Sequence, residues 1–279
     1  MKYFKVLGLS IIVGGSFLSF GPPNCNLFED DCKEACIEAE QAIMHSQGSK
    51  ASQIHFDKSI ELCPTFAYSY YEKAVPFAKR GSVSEWNKLM DNAVKYNPEE
   101  YLGQRGWYHF FFMHNYQASI TDIERLQTLY GDTDIGVTGD AMYHLHILRA
   151  LCYKGLGQKK KAIRCIEDQM AKEDHYLGLY DYLHLGVLYL ENGNLQNALE
   201  ILNIQIEQNP WSEAYYYRAQ VYKQLQDSEK CIADLNQALV QYKKGDKMHN
   251  SYRQLVDEIY ESDILDALKS VKESPSANE

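Results

Sequence analysis

Small residues and aromatic residues return along this chain at a fixed spacing, and few folds accommodate that spacing. Tyr182, Leu185, Gly186 and Tyr189 precede the turn-forming "ENGN", after which come Ala198, Leu202 and Pro210. The surrounding stretch is rich in helix formers, and a glycine inside a helix costs about 1 kcal/mol relative to alanine. A second helix crossing closely at Gly186 would offset that cost. The spacing returns downstream as Tyr215, Ala219, Tyr222, Cys231, Leu235 and Ala238, with "QLQDSEK" as the turn, and upstream as Ala150, Tyr153, Gly157, Ala162 and Ile166. Before Pro98 it reads Tyr70, Ala74, Phe77, Gly81, Met90 and Ala93, with Trp86 where a small residue is expected. Pro64 lies 34 residues before Pro98; the unit it closes keeps Ser52, Phe56 and Ser59 but carries Glu40 in its small slot. A further unit places Gly106 against Ala118, although its second helix fits better on Ser119, Ile120 and Ile123, one residue later. Pro76 predicts a kink, because proline removes a helix hydrogen bond.

This pattern resembles the tetratricopeptide repeat, a 34-residue helix–turn–helix unit written W-x2-L-G-x2-Y, then A-x3-F, then P. Tyr182 stands for the tryptophan and Leu202 for the phenylalanine. The resemblance covers roughly residues 33–245 and implies an all-α, right-handed superhelix (an α-solenoid) of five to six helix pairs. A solenoid must cover its last apolar face. Leu255, Ile259, Ile264 and Leu268 suggest that residues 246–272 supply a C-terminal capping helix, with 273–279 as a tail.

At the other end, Lys2 and Lys5 precede an apolar run from Val6 to Phe20. That is the length of a signal-peptide core and shorter than the roughly 20 residues of a membrane span. Residues 1–21 are therefore expected to direct export, to the periplasm, the cell envelope or the extracellular space. Lipidation at Cys25 is the rival reading and would make the protein an outer-membrane lipoprotein, but Asn24 precedes the cysteine where a small residue is wanted. Membrane association is expected only in that case. The formal net charge of −10 becomes −12 without the two lysines, which argues against nucleic-acid partners.

Export makes the N-terminal cysteines informative. Cys25 and Cys32, in the segment 22–32, join Cys36 and Cys63 as disulfide candidates, with three possible full connectivities. Within an antiparallel helix pair, Cys63 is placed to meet Cys32 or Cys36, leaving Cys25 for the other. The four lack the CxxC and HxxxH spacings of a zinc site. Cys152, Cys165 and Cys231 fall inside helical patterns and suit core packing.

Catalytic signals are sparse. His144 and His146 point to different faces of a helix, and His109 and His114 are poorly spaced for a metal. HExxH, GxSxG, phosphate-loop and dinucleotide patterns do not occur. "YGDTDIGVTGDAM" carries Asp132, Asp134 and Asp140, but Gly136 and Tyr143 occupy positions where a calcium loop needs ligands. Neither metal nor cofactor is expected, and no enzymatic activity.

Binding is the better-supported class. The resemblance implies that the first helices of successive units line a concave groove for a protein or peptide segment. Spacing then assigns Tyr68 and Tyr71, then Tyr108, Phe111 and Phe112, then His144 and Lys154, then Tyr180 and Leu183, and finally Tyr216 and Lys223 to that groove. Much of the excess of tyrosine, 22 against 3 tryptophans, would line an adaptable trough of rings with polar tips. Core packing between repeats competes for the same residue type, at Tyr70, Tyr182, Tyr189 and Tyr222. The subset of the family that clamps a terminal carboxylate is not matched, since Leu151, Val187 and Gln220 stand in its asparagine slots. The reading is a non-catalytic adaptor of the bacterial cell envelope; capture of a glycan or other polymer by the same trough is the alternative.

Overall fold

A computed structural model of the chain describes residues 23–273, apart from Asp174 and Tyr252; the expected signal segment and most of the expected tail lie outside the described residues. Six antiparallel helix pairs follow one another: α1 (Asp30–Ile43) with α2 (Lys50–Leu62), α3 (Ala67–Lys79) with α4 (Val83–Tyr96), α5 (Pro98–Phe111) with α6 (Tyr116–Tyr130), α7 (Leu145–Gly155) with α8 (Lys159–Met170), α9 (Asp181–Glu191) with α10 (Leu195–Gln208), and α11 (Ser212–Gln224) with α12 (Ser228–Lys244). The second helix of each pair packs on the first helix of the next, and α13 (Glu261–Glu273) closes the array. The result is an all-α solenoid of the expected kind.

One conformational device recurs in all six turns. Gly48, Gly81, His114, Gly157, Gly193 and Gln226 have φ between 49° and 79°, and each lies two residues before the second helix of its pair. A left-handed residue in each turn reverses the chain. Ser49, Asn115, Asn194 and Asp227 then cap the helix that follows, each accepting a backbone hydrogen bond on its side chain.

The close crossings fall at the small residues. A Cβ on Gly186 would sit 2.7 Å from Leu202 Cγ of α10, and one on Gly106 would touch Ile123 and the Ser119 carbonyl at 3.4 Å. In the first pair Ala39, fully buried, takes the contact that spacing assigned to Glu40, one residue later. Trp86 is buried despite its size, its ring against those of Tyr108 and His109 on α5. α3 runs on through Pro76, which is itself buried.

The N-terminal cysteines pair as Cys25–Cys36 and Cys32–Cys63. They tie the 3-10 turn Cys25–Leu27 to α1, and α1 to the end of α2, so the first pair among the described residues is stapled. Cys25 cannot carry a thioether-linked lipid while its sulfur is bonded to Cys36. Cys152, Cys165 and Cys231 are buried free thiols.

The helix expected over 246–272 forms only from Glu261. Gly245, left-handed at φ 88°, ends α12, and 246–260 leaves as an extended strap. It crosses the row of first helices and returns. The Met248 amide donates to Glu213 of α11, Arg253 reaches the Trp107 and Phe111 rings of α5, and Asp257 meets Lys154 of α7 and His184 of α9. Met248, Leu255 and Ile259 are buried along this path. α13 then packs Ile264 and Leu268 against the α11–α12 pair and includes Glu273, where the tail was expected to begin.

Candidate functional site

The first helices present their side chains to one face, and the strap divides that face in two. Under the strap, the groove residues assigned to the middle and C-terminal repeats are already engaged. Lys154 forms ion pairs with Asp257 at 2.5 Å and Glu191 at 3.1 Å. His184, wholly buried, bonds through Nδ1 to the other Asp257 oxygen at 2.8 Å and through Nε2 to the Tyr143 hydroxyl at 3.3 Å. Burial alone would raise the Asp257 carboxyl, but Lys154 and His184 outweigh it and hold it below the usual range. Phe111 is covered by the Arg253 guanidinium, 3.7 Å above its ring. Tyr180 and Leu183 are core residues.

The remaining assigned residues of this half are also occupied. The 131–144 insertion folds back through a bridge between Val137 and His144, and His144 works as a helix cap. Its Nδ1 accepts from the His146 amide, so Nε2 carries the proton donated to Asp134 at 2.9 Å. Asp134 and Asp140 thus have protein partners, His144 and Arg253, and no group of potential metal ligands forms among the described residues. Lys223 donates to Ser270 of α13, and Tyr216 is half-buried in the cluster that α13 completes.

Tyr68, Tyr71, Tyr108 and Phe112 have a different fate. With Val75 and Glu72 of α3 and Tyr101, Gln104 and Trp107 of α5, they line a cleft of about 460 Å³, bounded on one side by Asn250 and Arg253 of the strap. A volume of that size falls in the range typical of ligand sites, about 300–1,000 Å³. Tyr71 stands 5.0 Å from Tyr101 and 6.5 Å from Tyr108, ring centre to ring centre; Trp107 and Phe112 flank Tyr108 at 4.8 and 5.3 Å. Desolvation raises the phenols of Tyr68, Tyr71, Tyr101 and Tyr108, so they stay neutral and available as hydrogen-bonding groups.

Spacing by repeat missed Glu72, Tyr101 and Trp107. Glu72 lies one helical turn after Tyr68 and one before Val75 and Pro76, so an i, i+4 reading of α3 carries the signal. Trp107 follows from the same rule applied to Phe111, and Tyr101 lies two helical turns before Tyr108. Arg253 and Asn250 had no such signal, since they come from a segment expected to be helical.

Over residues 212–239 the sequence matches the tetratricopeptide repeat family. No curated protein sequence matches the chain. Among solved structures it is similar to PilW, a widely conserved type IV pilus biogenesis factor, at 12% identity and a TM-score of 0.59, covering 75% of this chain and 94% of that one. Pseudomonas aeruginosa pilF gives 12% identity and a TM-score of 0.57, over 76% and 94% of the two chains. YrrB, a TPR protein with an unusual peptide-binding site, gives 19% and 0.50 over 66% and 91%. The α11–α12 unit thus matches the tetratricopeptide repeat in sequence, and the described chain shares the helix-pair solenoid fold of these structures.

Proposed function

We propose that this tetratricopeptide-repeat protein is a non-catalytic adaptor of the bacterial cell envelope that holds an extended segment of a partner protein in the cleft between α3 and α5. The observation that carries the reading is the cleft itself, where among the described residues the rings of Tyr68, Tyr71 and Phe112 stay half-buried over a floor of buried Tyr101 and Tyr108, while the rest of the first-helix face is filled from within. Rings of this kind anchor partners because they bury large area and still hydrogen-bond. The likeness in fold to PilW and pilF, the N-terminal apolar run and the two disulfides support an exported setting; the Cys25–Cys36 bond favours export without a lipid on Cys25. The peptide-binding site named for YrrB supports a peptide over a glycan as the occupant.

The test uses the oxidised full-length protein on peptide and glycan arrays in parallel, with Tyr71→Ala as the comparison. Retention of peptides that Tyr71→Ala abolishes, at an unchanged thermal transition, is the expected result. Retention on glycans alone, or peptide binding indifferent to Tyr71→Ala, overturns the proposal.

A further inference from the structure

We infer that the α3–α5 cleft recognises a lysine or arginine side chain of its partner segment, with Glu72 as the counter-charge and the rings of Tyr68 and Tyr71 as its walls. This rests on the proposed function above and specifies the chemistry of the same cleft. Its charges do not balance. Asp140 and Arg253 pair with each other, which leaves Glu72 and Glu100 facing Lys79 along the lining. The Lys79 ammonium donates to Gln47 Oε1 at 2.6 Å and acts on Glu72 as a through-space charge. Glu100 accepts from Asn97 at 2.9 Å. Among the described residues the cleft therefore keeps an excess of negative charge beside four tyrosines, and a cation over a tyrosine face is attracted by the ring as well as by the carboxylate.

The chain itself shows how this face takes a cation. At the adjoining position Arg253 of the strap, an extended segment, lays its guanidinium 3.7 Å above the Phe111 ring and 5.1 Å from Trp107, with the Asp140 carboxylate as its ion-pair partner. One aromatic floor and one carboxylate hold one basic side chain. The Glu72 position repeats that arrangement one step along the row of first helices, with its aromatic floor built and no basic side chain from the strap in it. Because Asn250 and Arg253 form a wall of the cleft, a partner segment would continue the path that the strap begins. Burial also holds the Glu72 carboxyl above its usual range, against the pull of Lys79, and an incoming ammonium or guanidinium relieves that cost.

The experiment is selection of random nonamer peptides displayed on phage against the immobilised full-length protein. Binding of the selected peptides is then measured to the parent, to Glu72→Gln, which keeps the shape of the side chain, and to Tyr71→Ala. The expected peptides carry lysine or arginine at one fixed position; Glu72→Gln weakens them about tenfold or more while melting with the parent, and replacing that basic residue by norleucine weakens them equally. Added salt should weaken parent binding and leave Glu72→Gln nearly unchanged. Peptides that need Tyr71 but carry no fixed basic residue, or that ignore Glu72→Gln, overturn the inference and leave the peptide-adaptor reading standing. Failure to select any peptide, or selection of peptides indifferent to Tyr71→Ala, overturns both. Should Glu72→Gln unfold, the norleucine exchange decides, because it leaves the protein untouched.

Discussion

Gly186→Ala should destabilise the protein although it improves helix propensity. In an open helix interior the change would gain about 1 kcal/mol. Here the added Cβ would stand 2.7 Å from Leu202 Cγ and 2.8 Å from Cδ2, distances at which something must move. Leu202 is fully buried, so its isobutyl group cannot swing into solvent, and overpacking of this kind costs about 1–3 kcal/mol. The net expectation is a loss of up to about 2 kcal/mol, the clash less the gain in propensity. Leu202→Ala alone, which opens a cavity, should cost about 2–5 kcal/mol.

The two changes occupy the same space, so they cannot be additive. In the Leu202→Ala background the Gly186 methyl meets no branched carbon, and Gly186→Ala should become neutral or stabilising. The coupling should be at least about 1 kcal/mol, within the range of 0.5–3 kcal/mol usual for residues in contact. Urea denaturation followed by circular dichroism measures all four variants. Hydrogen exchange resolved to α9 and α10 guards against partial unfolding, to which repeat arrays are prone. Gly186→Ala as stable as the parent, or a cycle that closes additively, refutes the close-crossing account of this glycine.

The strap supplies a pH prediction. Burial pushes the Glu213 carboxyl up to about 7, so the folded protein holds this proton more tightly than the unfolded chain does. Stability from this group is therefore complete at low pH and declines as pH rises through about 7, by as much as roughly 3 kcal/mol. His146, which burial depresses to about 3, works in the opposite sense, contributing fully above its unfolded value and losing its contribution as pH falls. Comparing the parent with Glu213→Gln between pH 5 and 8 cancels the histidine, and the difference should move in favour of the variant as pH rises; a constant difference refutes the assignment. The disulfide prediction is chemical: non-reducing peptide mapping of exported protein should recover Cys25 with Cys36 and Cys32 with Cys63. Reduction should lower the stability of α1 and α2 by about 2–4 kcal/mol, and four free thiols or another pairing would contradict the structure.

The repeat was legible because its constraints are local and periodic. A helix crossing that needs a small residue at Gly186, Ala198 or Ala219 imposes the same need in every unit, and the turn positions at Gly81, Gly157 and Gly193 punctuate it. Where the slot moved, from Glu40 to Ala39, the buried position lies one residue earlier than the spacing predicts. The cleft was legible in part for the same reason. Tyr68, Tyr71 and Phe112 follow from the repeat and stay half-buried, whereas Tyr108, in the same register, is buried against Trp86 and forms the floor.

The residues that did not reach the cleft share a cause that no periodic reading contains. Phe111 and Lys154 lie in the right register on first helices, yet both are taken by a segment more than a hundred residues away in sequence. That segment reads as helix because Leu255 and Ile259 are four apart, like Ile264 and Leu268. The spacing suits an extended strap equally when both side chains find apolar surface, and tertiary contacts decide between the two. Asp257, at φ 64°, adopts a backbone conformation that a helix excludes and that its bonds to Lys154 and His184 reward. The Leu255 amide meets its partner in the Glu258 carboxylate rather than in a helical carbonyl, and α13 starts only where Asp263 accepts from the Tyr260 amide. A carboxylate buried between a lysine and a histidine from different repeats thus outweighs the local preference for helix. The same substitution of tertiary for local energy moves the proposed binding surface from the whole first-helix face to its N-terminal end.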